Sequence, residues 1–218
     1  VSLEELASQA NASKAKLIIL CNPNNPTGQG FSKNEIMTLI NSTESLVLVD
    51  EAYIEFYGES MIDQINTCQR LIVTRTFSKA YGLAGIRVGY ALADASLIAS
   101  LDLVRTPYNL NAASQAIAMA ALKNKQLFKK QVALLLQERD RMERSLAKYP
   151  SVSLFPTKAN FILLRSELAD DIETACRESS IQIRGYKSAG LLKNCLRISI
   201  GKPEENDRLL TIFKEVHA

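Results

Sequence analysis

Short apolar runs rich in Val, Ile and Leu alternate with longer stretches of helical periodicity over the first half of the chain. Strands are predicted at 16–21, 46–50, 71–74 and 87–92. Strands that are apolar throughout are typical of a parallel sheet covered by helices on both faces. Ser32 and Glu35 form a capping pattern that predicts a helix between the first two strands. We therefore predict an α/β fold, a three-layer αβα arrangement with a mostly parallel sheet and right-handed crossovers.

The second half of the chain has a different pattern. An alanine-rich stretch at 111–122 suits close helix packing, and leucines and charges alternate at helical spacing over 126–149. Further strands are predicted at 152–155, 160–164, 181–184 and 196–200, with a helix at 168–179. We therefore predict a large domain over 1–142, which includes the start of the long helix, and a small C-terminal α+β domain over 143–218.

Composition narrows the class of partner. The 26 basic and 23 acidic residues give a formal net charge of +3, too balanced to indicate a nucleic-acid or membrane-surface footprint. No apolar run approaches the ~20 residues of a membrane span, and no basic segment followed by an apolar stretch marks a secretory signal. We expect a cytoplasmic protein whose partner is a small molecule, with no nucleic acid and no membrane.

The cysteines and the single histidine exclude several kinds of site. Cys21, Cys68, Cys176 and Cys195 form no CxxC pair, so neither a disulfide framework nor a zinc site is predicted. His217 is the only histidine, which leaves none for a catalytic triad or a metal cluster. No metal is expected, and acid–base chemistry is expected to use other side chains.

Two polar motifs follow the first two predicted strands. NPNNPTG at 22–28 is a rigid turn in which Pro fixes φ and Gly permits the return, and it presents amide side chains at a strand end. A plain strand-to-helix loop explains the same residues. DEAY at 50–53 delivers a carboxylate and a phenol to the end of the next strand. Asp50 could alternatively cap a helix.

The third motif, TFSKAYGLAGIRVG at 76–89, combines a lysine with hydroxyls and an arginine. Hydroxyls and a guanidinium are suited to binding phosphate. The alternative is a solvated surface lysine at Lys79. The two glycines at 82 and 85 lack the spacing of a dinucleotide fingerprint and of a phosphate-binding P-loop, so a nucleotide site is not favoured.

Together, NPNNPTG, DEAY and TFSKAYGLAGIRVGY resemble the fold-type-I aminotransferases, which depend on pyridoxal 5'-phosphate. DEAYIEF and RTFSKAYGLAGIRVGY resemble the histidinol-phosphate branch of that family, and the resemblance covers nearly the whole chain. It implies that Lys79 forms the Schiff base with the cofactor, that Asp50 pairs with the pyridine nitrogen, and that Asn25 and Tyr53 hydrogen-bond the phenolic oxygen. It implies that the cofactor phosphate is held by Thr76, Ser78 and Arg87.

Two arginines in the small domain are substrate-binding candidates. Arg184 and Arg197 lie thirteen residues apart on predicted neighbouring strands, where a pair of surface arginines is the alternative. The resemblance makes Arg197 the binder of the substrate carboxylate in aminotransferases generally. In the histidinol-phosphate branch it implies that both arginines grip the substrate phosphate. Asn160 is a further substrate-binding candidate.

The resemblance also bears on assembly. The loop at 105–109 is similar to one that lies near the partner's active site in dimers of this family, so it is an interface candidate, although a plain loop also explains it. A homodimer is expected for the intact protein. The family carries a phosphate-capping turn, a ring-stacking aromatic residue and the first sheet strands before the position of Val1. We therefore expect a fragment that lacks the N-terminal part and whose own activity is reduced or absent.

The implied reaction transfers an amino group from histidinol phosphate to 2-oxoglutarate, giving imidazole-acetol phosphate and glutamate in histidine biosynthesis. The partners are thus a phosphorylated amino alcohol or an amino acid, and a 2-oxo acid. An aminotransferase for aromatic or other amino acids and a threonine-phosphate decarboxylase of the same fold are alternatives. A ligand-sensing module of a transcription regulator is disfavoured because no helix-turn-helix pattern or basic arm is visible.

Overall fold

The computed structural model describes residues 2–187 and 190–218. Two compact units are present: the large unit, up to residue 23 and over 30–128, and the small unit, over 24–29 and 129–218. The domain boundary that the sequence predicts after residue 142 lies inside the long helix Lys125–Leu146. Among the described residues, no helix is both long and apolar enough to cross a membrane.

The large unit contains four complete α-helices and four strands among its described residues. The strands are β1 (Leu17–Cys21), β2 (Leu46–Asp50), β3 (Leu71–Thr76) and β4 (Gly89–Ala93). The helices are α1 (Leu3–Ala12), α2 (Lys33–Asn41), α3 (Ala95–Val104) and α4 (Ala112–Lys123). The predicted capping box is confirmed, because Ser32 and Glu35 satisfy each other's backbone N–H groups at the start of α2.

The sheet of the large unit has the order β1-β2-β3-β4. The first three strands are parallel, and the predicted mostly parallel sheet is confirmed. β4, however, runs antiparallel to β3. The physical reason is that the chain between them is a compact loop with one 3-10 turn at Ala84–Ile86, not a crossover helix that would return the chain to the starting edge. The strand predicted at 87–92 accordingly begins two residues later, at Gly89.

One face of this sheet carries the main core of the large unit. Val47, Val49, Leu71 and Val73 are fully buried and pack in one cluster with residues of α1 and α2. Burying each such side chain contributes about 1.5–3 kcal/mol to folding. Because successive side chains of a strand alternate between faces, the strand-terminal residues discussed below lie on the other face.

A second cluster fixes the loop between β3 and β4. Phe77 and Val88 are buried together with Ala118 and Ala121 of α4. The Phe77 N–H donates to the Val88 carbonyl at 3.1 Å, so the two ends of the loop are tied to each other. The residues between them, including Lys79, are therefore carried by an anchored loop.

The small unit is an antiparallel sheet of order β5-β6-β8-β7 with helices packed on it. Its strands are β5 (Val152–Phe155), β6 (Phe161–Ser166), β7 (Arg184–Tyr186) and β8 (Cys195–Ser199). Its helices are α6 (Ala169–Glu178) and α7 (Pro203–Val216), and α5 (Lys125–Leu146) enters it from residue 129.

One strand of the small unit lies elsewhere than predicted. The sequence indicates a strand at 181–184, whereas β7 spans Arg184–Tyr186. The Ile181 N–H donates to the Cys176 carbonyl at 2.8 Å, and Ser180 has a left-handed backbone with φ 59°. This closure at the end of α6 holds residue 181 against the helix, so pairing with β8 begins only at Arg184.

The thiol of Cys176 makes the stability of the small unit sensitive to alkaline pH. Burial, with a smaller contribution from the charge of Glu173, raises the pKa of Cys176 from 9.0 to about 11. The unfolded chain therefore loses this proton first as the pH rises, and the free energy of unfolding falls between about pH 9 and 11. We expect this thiol to account for a loss of about 2 kcal/mol by pH 11.

Urea unfolding at pH 8, 9, 10 and 11 under reducing conditions measures the effect. Cys176→Ala lowers stability at pH 8, where the thiol is neutral, because it leaves a cavity, but its pH slope should be shallower than that of the wild type. Equal slopes would contradict the assignment.

Candidate active site

Three side chains at or near the carboxyl ends of β1, β2 and β3 form a row in the large unit's sheet. Asp50, the last residue of β2, pairs in register with Cys21 of β1 and Thr74 of β3. Asp50 Oδ1 accepts from the Thr74 hydroxyl and from the Ala52 N–H, both at 3.2 Å. Its Oδ2 lies 4.0 Å from Cys21 Sγ. The carboxylate is thus held at the carboxyl end of parallel strands, where α/β proteins bind ligands.

The thiol of Cys21 is kept protonated by its surroundings. Burial raises the pKa of Cys21, and the neighbouring Asp50 charge adds to the rise. Cys21 therefore faces the carboxylate as a neutral, weak donor and not as a second anion.

Tyr53 is carried by a segment that a buried ion pair anchors. Glu51 is fully buried, and it accepts from Arg75 Nε at 2.9 Å, from the Ser60 hydroxyl at 2.8 Å and from the Met61 N–H at 2.6 Å. These bonds tie both ends of the excursion from 51 to 61 to β3. Tyr53, 6% exposed, is held within this excursion.

Lys79 lies beside Tyr53. Its Nζ is 5.2 Å from the centroid of the Tyr53 ring, and the residue is exposed. Both residues stand three positions beyond the ends of adjacent parallel strands, since Asp50 ends β2 and Thr76 ends β3. The structure therefore brings an accessible amine and a phenol to the strand edge that carries the Asp50 carboxylate.

Two hydroxyls and an arginine lie on the loop that follows β3. The oxygens of Thr76 and Ser78 are 2.9 Å apart, and the Ser78 N–H donates to Thr76 Oγ1 at 3.0 Å. Arg87 has a left-handed backbone with φ 56°, and its guanidinium donates to the Ala84 carbonyl at 2.9 Å. The structure thus pairs the two hydroxyls, while the exposed Arg87 side chain contacts its own 3-10 turn. Hydroxyls and a guanidinium are donors suited to a phosphate.

In the small unit, Arg197 binds the loop at 24–29. Arg197 Nη1 donates to Asn25 Oδ1 at 2.6 Å. This bond occupies the amide oxygen of Asn25, so the N–H groups of that amide are the ones that can serve a ligand. The Lys158 N–H donates to the Gly28 carbonyl at 2.8 Å, which fixes the other end of the loop.

The two predicted substrate arginines are direct neighbours. Arg184 and Arg197 are register partners on antiparallel strands, as the sequence predicts. The Arg197 guanidinium lies 5.3 Å from the Phe161 ring, and Arg184 lies 5.8 Å from the Tyr186 ring. Arg197 Nε is buried and has no hydrogen-bond partner among the described residues. A buried donor without a partner is costly, and an anionic ligand would satisfy it.

Asn160 is half-buried and directly precedes β6, and its carbonyl accepts from the Ile200 N–H at 2.9 Å. It therefore leads into the strand that pairs with β8, which bears Arg197. Its role in binding remains a prediction.

Sequence reasoning missed the partners that hold the candidate residues. Thr74 and Cys21 flank Asp50, and Glu51 and Arg75 anchor the segment with Tyr53. The contacts of Thr74 and Cys21 with Asp50 could have been predicted from the sequence. The three predicted strands end at Cys21, Asp50 and Thr74, so these side chains are expected at the same end of a parallel sheet. The Glu51–Arg75 ion pair could not have been predicted, because the sequence does not distinguish a buried ion pair from two surface charges.

Gly28 is expected to be intolerant of a side chain. It has φ +74°, and an added Cβ would lie 2.9 Å from Thr157 Cα and 2.6 Å from Thr157 Cβ. We expect Gly28→Ala to lower the free energy of unfolding by about 2 kcal/mol or more, because backbone strain and a collision with backbone atoms add together.

Gly58→Ala is a matched control for Gly28→Ala. Gly58 has φ +92°, but apart from its chain neighbours no described residue has an atom within 4 Å of an added Cβ. Urea midpoints should fall further for Gly28→Ala than for Gly58→Ala. Equal losses would show that strain alone operates and that Thr157 does not restrict the loop.

The chain has clear relatives among curated proteins. It matches the family aminotransferase class I and II over residues 1–213. It is 43% identical over 201 residues to a histidinol-phosphate aminotransferase of Thermoanaerobacter pseudethanolicus, with 92% of this chain and 57% of the relative covered. A second such enzyme, from Caldanaerobacter subterraneus, is 39% identical over 99% of the chain and 61% of its own length. The chain thus spans about three-fifths of the length of these relatives.

Solved structures give the same result. The histidinol-phosphate aminotransferase of Clostridium acetobutylicum superposes with a TM-score of 0.91 at 26% identity, covering 100% of this chain and 68% of that one. The enzyme of Sinorhizobium meliloti, solved with pyridoxal-5'-phosphate, gives 0.89 at 28% identity, with coverages of 98% and 60%. The L-threonine-O-3-phosphate decarboxylase of Porphyromonas gingivalis gives 0.84 at 26% identity, with coverages of 95% and 66%. Sequence and fold agree that the chain belongs to the class I and II aminotransferases.

Proposed function

We propose that the chain carries the reactive lysine and the substrate arginines of a pyridoxal-phosphate-dependent transaminase. Its substrates would be histidinol phosphate and 2-oxoglutarate, and its products imidazole-acetol phosphate and glutamate, a step of histidine biosynthesis. The observation that carries the proposal is the grouping of Asp50, Tyr53 and Lys79 at one strand edge. The 43% identity to a histidinol-phosphate aminotransferase supports the choice of substrate.

The side chains present suit this cofactor, which offers an aldehyde, a ring nitrogen, a phenolic oxygen and a phosphate. Lys79 is an exposed amine. Among the described residues, Oδ2 of Asp50 receives only the weak thiol donor of Cys21 and has room to accept from a ring N–H. The adjacent hydroxyls of Thr76 and Ser78, with Arg87 on the same loop, supply donors for the phosphate.

When bound, pyridoxal phosphate supplies an electron-withdrawing ring that stabilises negative charge at the substrate α-carbon. We assign to Lys79 the covalent attachment of the cofactor and, once its amine is displaced, the movement of a proton at the substrate α-carbon. Asp50 keeps the ring nitrogen protonated because a neighbouring anion favours the positively charged form. Tyr53 and Asn25 are assigned hydrogen bonds to the phenolic oxygen.

Arg184 and Arg197 would hold the substrate phosphate, with Asn160 as a further contact. The support is their register pairing on β7 and β8 and the buried Nε of Arg197, which has no hydrogen-bond partner within residues 2–187 and 190–218. Guanidinium groups bind phosphate through two parallel hydrogen bonds, which gives both charge and orientation.

Substrate profiling tests the proposal. The purified protein, loaded with pyridoxal phosphate, is assayed with 2-oxoglutarate and either histidinol phosphate or phenylalanine as amino donor. We expect kcat/KM for histidinol phosphate to be higher by at least about 100-fold, because phenylalanine leaves the phosphate-binding arginines unpaired. A preference for phenylalanine would favour an aromatic aminotransferase and overturn the proposed substrate.

A decarboxylase of the same fold is the second candidate, supported by the TM-score of 0.84 to the L-threonine-O-3-phosphate decarboxylase. Both reactions use a phosphate-bearing substrate, so binding alone does not separate them. Incubation with threonine phosphate and measurement of released CO2 does. Turnover of threonine phosphate without 2-oxoglutarate would establish the decarboxylase in place of the transaminase.

We further propose a cytoplasmic homodimer. The four cysteines are all free thiols, as is usual in a reducing compartment. Exposed apolar side chains on α3 and the loop after it, Leu103, Val104 and Tyr108, support an interface near the predicted loop at 105–109. Light scattering of the purified protein should give twice the chain mass, and a monomer at micromolar concentration would count against the dimer.

A further inference from the structure

The carboxylate of Asp50 is held asymmetrically. Its Oδ1 accepts two hydrogen bonds, from the Thr74 hydroxyl and from the Ala52 N–H, each long at 3.2 Å. Among the described residues, Oδ2 has only the Cys21 thiol, with Sγ 4.0 Å away. A thiol is a much weaker donor than a hydroxyl or an amide. The two oxygens of one side chain therefore have different capacities to accept a further bond.

We propose that Thr74 is a positioning residue that holds Oδ1 of Asp50, so that Oδ2 is the oxygen that accepts from the ring nitrogen of the bound cofactor. This inference rests on the proposed function, because it assigns a role to a residue that touches Asp50 and not the cofactor itself. Thr74 acts through Asp50.

The backbone supports this assignment because it fixes the position of the Thr74 hydroxyl. Thr74 and Asp50 are register partners on parallel strands, so their side chains emerge side by side on one face. The Glu51 N–H donates to the Thr74 carbonyl at 2.8 Å, which continues the ladder to the strand end. Threonine is β-branched and stiff at χ1, so its hydroxyl does not have to be ordered when the cofactor arrives.

Cys21 lies on the other side of the Asp50 carboxylate from Thr74. It is the register partner of Asp50 on β1, so a side chain must stand beside Oδ2. A hydroxyl there would compete with the ring nitrogen for Oδ2, whereas a neutral thiol competes weakly. The row from β1 to β3 thus has a strong donor on one side of the carboxylate and a weak donor on the other.

The test compares Thr74→Val, which keeps the shape and removes the donor, with Thr74→Ser, which keeps the donor. Two readouts are measured apart from activity: the affinity for pyridoxal phosphate, and the ¹⁵N chemical shift of the ring nitrogen of labelled cofactor, which reports its protonation. We expect Thr74→Val to bind the cofactor about tenfold more weakly and to shift the ring nitrogen toward its unprotonated value. Thr74→Ser should restore both, and kcat should fall more than KM rises.

Two variants of Cys21 provide a second test of the same proposal. Cys21→Ser places a stronger donor beside Oδ2 and is expected to weaken cofactor binding, while Cys21→Ala should leave affinity within about twofold. Thr67→Val is the matched control, because it makes the same change at an exposed hydroxyl that donates to the Gln64 carbonyl. Thermal unfolding of every variant separates a local effect from a loss of fold.

The outcomes separate this inference from the proposed function. If the wild-type protein binds no pyridoxal phosphate, the proposed function fails and this inference fails with it. If the wild type binds the cofactor and Thr74→Val matches it in affinity and in the ¹⁵N shift, the proposed function stands and the role of Thr74 is rejected. A defect in Thr74→Val that Thr74→Ser does not repair would also reject it.

Discussion

Replacing Lys79 with alanine is expected to abolish the covalent, borohydride-reducible link between the protein and pyridoxal phosphate. Transamination should fall by on the order of 10⁴-fold or more, because one side chain provides both the attachment and the proton transfer. Lys79 is exposed and packs no core, so the fold should be unaffected. Mass spectrometry after borohydride treatment, followed by peptide mapping, measures the link directly.

Two variants control for charge and for nonspecific labelling. Lys79→Arg keeps the positive charge but cannot form the link, so it should be as inactive as Lys79→Ala. Lys123→Ala removes an exposed lysine from the last turn of α4 and should retain both link and activity. A reducible adduct that survives in Lys79→Ala, on any other lysine, would refute the assignment.

Replacing Asp50 with alanine should have the second largest effect. Without an anion beside the ring nitrogen, the ring is a weaker electron acceptor, and the turnover number should fall by about 10²–10³-fold. The link to Lys79 should still form, because attachment does not require the ring nitrogen to be protonated. The contrast between lost turnover and retained adduct is the signature of the role assigned to Asp50.

Asp63→Ala is the control for Asp50. Asp63 is exposed and forms an ion pair with Lys33, so its loss should change stability little and leave turnover unchanged. Stopped-flow measurement of single turnovers separates the proton-transfer step from product release. Near-normal turnover of Asp50→Ala would contradict the proposed electronic role.

Much of the parallel layer could be predicted from sequence because each strand is a short β-branched run with a polar residue at its end. Cys21, Asp50 and Thr74 end the three predicted strands, and the structure brings them side by side. At Arg87 the structure differs from the sequence-based prediction. The run from 87 to 92 reads as another parallel strand, but Arg87 ends a 3-10 turn with φ 56°, and the strand that follows is antiparallel. Strand direction depends on the connecting loop, which leaves no periodic signal.

In the small unit, two further elements differ from the sequence-based prediction. Ile181 and Ile183 have the composition of a strand, yet the bond from Ile181 to the end of α6 holds them out of the sheet. The helix α7 escaped prediction although Pro203 and Glu205 are ordinary signals of a helix start. Side-chain partnerships such as that of Arg197 with Asn25, 172 positions apart, arise only from the tertiary fold.

Residues 24–29 belong to the small unit although they precede most of the large unit in the chain, so the two units cannot be separated by a single cut in the sequence. The segment lies between β1 and α2 in the chain, yet the residues that bond it, Lys158 and Arg197, both follow residue 129. A gene split between Phe128 and Lys129 would therefore leave the C-terminal product without the asparagine its arginine grips. Two separately expressed halves could regain that bond only by reassembling, so complementation of the fragments would report on this single short insertion.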